Sequence, residues 1–361
     1  MNDFIEYWTA VRLLMAGQNP YSAEWVLALQ RSVGWTEQRP LMMWNPPWTL
    51  SVILPFGLLS FEAGRSAWLL FNLCIVFLCA DLTWRICGGP KKHIWLSWVV
   101  SLGFFPSLYV LRVGQITPLI LLGVVGFMYF AQRGKYGLAS SSAVLIFLKP
   151  HLLYLFWVAL ILWVIHCRKW KCFVGFGTTL AVTTLIPLSF NPSIVLQFFR
   201  ASLKEPPLYW MTPTLGGLLR YLMGPGHDWL QFLPMIVGLA ALLWVWCRHG
   251  SKSWDWSDQM PLLLLVSVST AAYGWSFDQV VLIPAIIQAT LMLMRVRRPL
   301  PIAVSIATFV LVNGFAYGLA LRGYNELSYV WMAPTLLICF LVVSKSYALH
   351  SARLKTEGKP V

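Results

Sequence analysis

Residues 66–84 read SAWLLFNLCIVFLCADLTW, a run whose one ionisable carboxylate, Asp81, stands near its far end. An α-helix rises about 1.5 Å per residue, so a run of this length crosses the roughly 30 Å hydrocarbon core of a bilayer. Comparable apolar runs follow at 94–110, 116–131, 137–148, 152–166, 173–190, 230–247, 260–274, 279–294, 300–321 and 328–344. The reading is an all-α polytopic membrane protein with about 11 transmembrane helices. The runs at 137–148 and 152–166 are short and flank Lys149-Pro150. Tilted or broken helices are expected there, which the bilayer tolerates where the backbone faces protein or water.

Composition agrees, since 58% of the 361 residues are apolar, 11% are charged and the mean hydropathy is +0.67. That leaves too little polar surface to cover a soluble core of this size. The net charge of +14 reads as topology. Basic groups at Arg85-Lys91-Lys92, Arg133-Lys135, Arg168-Lys169-Lys171, Arg248-Lys252, Arg295-Arg297-Arg298 and Lys345 to Lys359 fall on one side of an alternating bundle, the cytoplasmic side by the positive-inside rule. The opposite side takes Asp3, Glu6, Glu24, Glu37, Glu62, Glu205, Asp228, Asp278 and Glu326. Basic residues spread over short loops do not make a nucleic-acid surface, so no nucleic-acid partner is expected.

The apolar segment Trp48 to Leu59 is too short to span and is interrupted by Pro55 and Gly57. It is expected to be interfacial or re-entrant, because a span there would turn every later basic loop outward. Residues 1–65 then form an extracytoplasmic interfacial segment, 66–345 the transmembrane bundle and 346–361 a cytoplasmic tail, all one domain. An outside N-terminus without a leader leads us to expect a further helix upstream of Met1. The seven cysteines, Cys74, Cys79, Cys87, Cys167, Cys172, Cys247 and Cys339, lie in spans or at their cytoplasmic ends and read as reduced packing residues.

Ionisable groups at membrane depth are costly and mark functional sites by default. On the outer side these are Asp3, Arg112 with Gln115, Lys149 with His151, and Asp278 in YGWSFDQ, drawn from distant segments onto one face. Asp81, four residues before Arg85, reads as a helical i,i+4 pair instead. The 20 Trp include interfacial anchors such as Trp68, Trp84, Trp95, Trp170 and Trp331, whereas Trp8, Trp44, Trp210 and Trp275 lie on the outer face and are suited to stacking on a sugar ring.

The ordered set Asp3, Tyr7, Ala10, Gly17, Pro20-Tyr21, Asn45-Pro46-Pro47, Trp68, Asn72, Gly114-Gln115, Leu148-Lys149-Pro150, Tyr273, Trp275 and Asp278 resembles glycosyltransferase family 87. Members are GT-C fold membrane enzymes using polyprenyl-phosphate sugars, typically polyprenyl-phosphate-mannose. The family's usual first helix before the Asp is absent, and Trp44-Asn45 stands where an aromatic residue often directly precedes Pro-Pro. The resemblance implies an integral inner- or plasma-membrane hexosyltransferase acting on a lipid or glycan acceptor at the extracytoplasmic face.

Such a reaction needs a base for the acceptor hydroxyl, cations for the departing phosphate and an apolar groove for the isoprenoid. Asp3 is the candidate base, acting with inversion, and Glu6 is the reserve; the plainer reading of Asp3 is a helix N-cap. Lys149 is a point charge for phosphate or a snorkelling lysine, and His151 a phosphate donor or a group satisfying a local carbonyl. Arg112 offers a fork for phosphate oxygens or merely ends a helix, Gln115 is suited to a sugar hydroxyl, and Asp278 to a sugar hydroxyl or an ion pair with Lys149 or Arg112. No cofactor and no metal are expected. The competing readings are a transporter or flippase of a lipid-linked sugar, or an inactive subunit of a glycosylation complex.

Overall fold

The structure is a computed structural model describing residues 3–204, 210–249, 254–296 and 299–356. Glu205, Lys252, Arg297-Arg298 and Lys359, which enter the charge reading above, lie outside the described residues. The described chain is helical with no strand: α1 (Phe4–Met15), α2 (Ala23–Ser32), α3 (Thr49–Gly57), α4 (Phe61–Ile86), α5 (Trp95–Gly103), α6 (Phe105–Val113), α7 (Thr117–Gln132), α8 (Tyr136–Ile146), α9 (Tyr154–His166), α10 (Lys171–Phe190), α11 (Ile194–Lys204), α12 (Leu215–Met223), α13 (Leu233–His249), α14 (Trp256–Thr270), α15 (Ile283–Val296), α16 (Pro299–Leu321) and α17 (Met332–Thr356).

Among the described residues six helical segments are long and apolar enough to cross a membrane: Phe61–Ile86, Lys171–Phe190, Asp228–Arg248, Ser276–Val296, Pro299–Leu321 and Glu326–Arg353. The expected run at 94–110 is broken, because α5 and α6 meet at 60° at Phe104, and the pair counts as at most a seventh span. The runs at 116–131, 137–148 and 152–166 became the shorter helices α7, α8 and α9. Eleven full-length spans are therefore not what the helix lengths give. Periodicity reports an apolar helix without reporting whether it reaches both interfaces.

Much of α10 and α16 is exposed and apolar, with Val174 at 68% and Leu311 at 71%. Surfaces of that kind are stable facing lipid chains. The polar backbone breaks, by contrast, lie inside protein, where side chains satisfy them.

The segment before α4 is not uniform. Helix α2 leaves Glu24 and Trp25 exposed, but α1 is buried on nearly all sides, packed against α3 and α4. Phe4 and Tyr7 each place their ring centroids 5.9 Å from that of Trp68 on α4. A Cβ on Gly57 would lie 2.3 Å from Val11, so glycine permits the α1–α3 approach. Helix α3, too short to span, is held by this contact and by Trp48, which donates to Phe147 O at 3.2 Å.

The two ends of the bundle carry different chemistry. At one end Arg295 donates to Cys87 O at 2.9 Å, Gln132 donates to Ile86 O at 3.2 Å, and Lys169 sits 4.5 Å from the Tyr136 ring. Nearby Arg85 pairs with Asp81 at 2.8 Å, as its spacing implies. The other end gathers the breaks before α7, between α8 and α9, before α15 and before α17, and these carry the candidate site.

Candidate functional site

Asp3 precedes α1 yet makes no side-chain cap bond, so its carboxylate is not consumed by the helix. Its backbone N–H is tied to Val113 O at 2.6 Å, which brings the start of α1 to the end of α6. There Gly114 adopts φ +82°, a left-handed turn that glycine enters without strain, and its carbonyl accepts from the Trp68 indole at 2.8 Å. The turn directs Gln115 inward, 8% exposed.

Gln115 Nε2 donates to Asp3 Oδ2 at 2.7 Å and to Glu6 Oε1 at 3.3 Å, and Tyr7 Oη donates to Gln115 Oε1 at 2.7 Å. The Asp3 carboxylate, which can only accept when ionised, fixes the amide nitrogen toward it and leaves Oε1 to accept from Tyr7. Two carboxylates thus share one NH2 group. Burial raises the Asp3 carboxyl above its ordinary range, against the lowering pull of Gln115 and then Lys149. Burial, followed by repulsion from Asp3, pushes Glu6 up to about 8. Near neutral pH Glu6 carries a proton, and Asp3 is the member of the pair suited to accept one.

Lys149 is carried in the break between α8 and α9, 7% exposed. Its Nζ lies 2.8 Å from Asp278 Oδ1 and 5.0 and 5.4 Å from the ring centroids of Phe277 and Trp275. Asp278, fully buried, is saturated: Thr117 and Lys149 donate to Oδ1, and Trp275 N donates to Oδ2 at 3.0 Å. Its geometry is that of a group holding Lys149, the ion-pair alternative of the sequence reading.

His151 opens onto the same region, its ring 6.3 Å from that of Tyr273. Arg112 stands apart: it is exposed and has no ion pair or hydrogen bond among the described residues. The structure therefore brings Asp3, Glu6 and Gln115 into one cluster and Lys149 and Asp278 into a second. Lys149 acts electrostatically on both Asp3 and Glu6, with His151 two residues on.

Sequence reasoning named neither Thr117 nor Glu326 as a site residue. Glu326 accepts from Ser276 N at 2.9 Å and Ser276 Oγ at 3.1 Å, and so holds the loop bearing Asp278. The one available signal was a lone carboxylate at the head of the last apolar run. Among the described residues no group of three His, Cys, Asp or Glu side chains is arranged to hold a metal.

The sequence profile of glycosyltransferase family 87 matches residues 44–270, more than half of the chain. The chain belongs to glycosyltransferase family 87. The family assignment makes the protein a membrane glycosyltransferase, in keeping with its long apolar helices. The match takes in Arg112, Gln115, Lys149 and His151, whereas Asp3, Glu6 and Asp278 lie outside it and stand on geometry alone. Comparison with curated proteins and with solved structures found no significant match.

Proposed function

We propose that this family 87 member moves a hexose, mannose by preference, from a polyprenyl-phosphate donor to a lipid or glycan acceptor. The reaction takes place at the extracytoplasmic face of an inner or plasma membrane. Asp3 takes the proton as the acceptor hydroxyl oxygen attacks the anomeric carbon. The bond from that carbon to the phosphate oxygen breaks, and polyprenyl phosphate leaves with the electron pair. One displacement by one base inverts the anomeric centre.

The observation that carries this reading is the uncapped Asp3 carboxylate, oriented by Gln115 and in electrostatic contact with the buried Lys149. A base and a cation for the leaving phosphate thereby share one site. Glu6 holds its proton, which leaves Gln115 to Asp3; His151 donates to a phosphate oxygen, Arg112 meets the phosphate from the rim, and Asp278 keeps Lys149 in place. The basic end of the bundle supports the assignment of sides.

Transport of a lipid-linked sugar is the second reading, favoured by the 60° break between α5 and α6. Membranes carrying the chain, given labelled polyprenyl-phosphate-mannose and a lipid extract of the same cells, test between them. Label appearing in a new glycolipid or glycan is the expected result. Failure with every polyprenyl-phosphate sugar tried, alongside movement of intact donor across the bilayer, overturns the transferase reading.

A further inference from the structure

Asp81 and Arg85 are charged groups of α4 that the proposed reaction does not use. Arg85 Nε lies 2.8 Å from Asp81 Oδ2 and its Nη2 donates to Oδ1 at 3.1 Å, so one edge of the guanidinium is committed along the helix. The other ion pair of α4, Glu62 with Arg65, is exposed on both sides. The Asp81 side chain is only 20% exposed, near the end of the apolar run. An i,i+4 pair stabilises a helix by less than a carboxylate costs at membrane depth, so helix stability does not account for Asp81. Its effect is on Arg85: an arginine near a helix end snorkels outward to water, and this one is drawn back along the lipid-facing wall.

That wall contains a cleft. Phe77, Leu78 and Asp81 of α4 and Trp98 of α5 line an open hollow of about 480 Å³, within the roughly 300–1,000 Å³ of ligand pockets. The Phe77 and Trp98 rings meet edge to face at 6.1 Å, and the Trp98 indole N–H donates to no protein group among the described residues. Beyond Arg85 the chain turns sharply. Gly88 adopts φ +70°, Trp84 donates to Pro90 O at 3.1 Å, and a Cβ on Gly89 would lie 2.3 Å from that indole nitrogen. The turn keeps the exposed Lys91 and Lys92 at the same end as Arg85, and Arg295 of α15 donates to the Cys87 carbonyl within it. Asp258 of α14 also acts on Cys87, so Arg85, Lys91, Lys92 and Arg295 outnumber two carboxylates there, Asp81 and Asp258.

We propose that the cleft between α4 and α5 is a binding site for an anionic phospholipid of the leaflet at the basic end of the bundle. One acyl chain lies on Phe77, Leu78 and Trp98, and the phosphate meets Arg85. Asp81 takes two of the five guanidinium N–H groups and leaves three for phosphate oxygens. The groups follow one another along the chain in the order of a lipid: apolar cleft, guanidinium and lysines against acyl chain, phosphate and headgroup. The excess of cations selects a headgroup of net negative charge, as basic pockets between helices at a membrane surface do. A soluble phosphate ester satisfies the cations and has nothing to place in the cleft. The site lies at the opposite end of the bundle from Asp3 and Lys149 and does not depend on the transferase reading.

The test is native mass spectrometry of the full chain released from detergent, with phosphatidylglycerol and phosphatidylcholine of identical acyl chains as probes. Wild type should retain phosphatidylglycerol at least fivefold more than phosphatidylcholine. Arg85→Gln should abolish that preference, and Arg85→Lys, which keeps the charge and loses the fork, should fall between. Leu78→Trp fills the cleft, leaves the ion pair intact and should lower phosphatidylglycerol retention at least threefold. Lys171→Gln, at an exposed basic position at the start of α10, should match wild type. Added phosphatidylglycerol should raise the melting temperature of wild type and not that of Leu78→Trp. Glycerol 3-phosphate, which has no chains, should displace none of the bound lipid. Equal retention of the two lipids by wild type, equal losses in Arg85→Gln and Lys171→Gln, undiminished retention in Leu78→Trp, or displacement by glycerol 3-phosphate each overturns the proposal.

Discussion

The polar end of the bundle holds two pairs of acidic residues that are provisioned in opposite ways. Asp278 and Glu326 are surrounded by donors: Thr117, Lys149 and the Trp275 N–H serve the first, and the Ser276 N–H, the Ser276 hydroxyl and Tyr109 the second. Asp3 has only the Gln115 amide, which it shares with Glu6, and Glu6 has Tyr7 besides. A carboxylate whose lone pairs are filled from within the protein is a structural tie, whereas one left short of donors retains capacity for a substrate proton. The proposed mechanism uses this contrast: the first pair holds, and Asp3 of the second is the base.

The largest effect expected from breaking the contrast is at Asp278. Asp278→Ala leaves Lys149 buried without a counter-charge, and losing one partner of a buried pair costs about 3–5 kcal/mol. Little folded protein should be recovered by size exclusion in detergent. Asp278→Asn, which keeps the shape, should be recovered in larger yield at a lowered melting temperature. Next in size is Gln115→Leu, which removes the donor that orients Asp3. Transfer should fall about 100-fold, at the low end of what general acid–base catalysis contributes.

A smaller effect sharpens the other side of the comparison. Glu6 keeps its proton to about pH 8 in the folded chain and loses it near 4.5 when unfolded, so between those values the folded state binds more protons. Its contribution to stability is complete below about 4.5 and is lost as pH rises through about 8. The melting temperature should drop by a few degrees across that window in wild type and stay flatter in Glu6→Gln. Smallest of all is the response to a chelator: activity is expected to survive EDTA, and loss restored by Mg²⁺ or Mn²⁺ would contradict a base-and-cation mechanism without metal.

The all-helical membrane class was legible in residues 66–84 alone, and the Asp81–Arg85 pair in its spacing. The number of full spans was not. Runs such as 137–148 look apolar enough to cross, but the break at Lys149-Pro150 turns them into short helices around a buried cation, and hydropathy does not record where a backbone bends. The candidate site residues stood out as misfits in an apolar chain, which is how Lys149 and Asp278 surfaced. Their partnership was legible only as one alternative, with Arg112 as the rival partner and a sugar hydroxyl as the rival role, because 128 intervening residues separate them in sequence. Burial of α1 was hidden: its composition fits an interfacial helix as well as a core one, and only the packing of Phe4 and Tyr7 on Trp68 distinguishes the two.

The central claim, that Asp3 is spared from structure for chemistry, is tested most directly by measuring melting temperature and sugar transfer on one preparation of Asp3→Asn beside wild type. The account predicts a protein at least as stable as wild type, because a carboxyl whose ionised form is disfavoured by burial has been neutralised, and transfer reduced at least 100-fold. Transfer at the wild-type rate, or a loss of folded protein like that expected at Asp278, would contradict it.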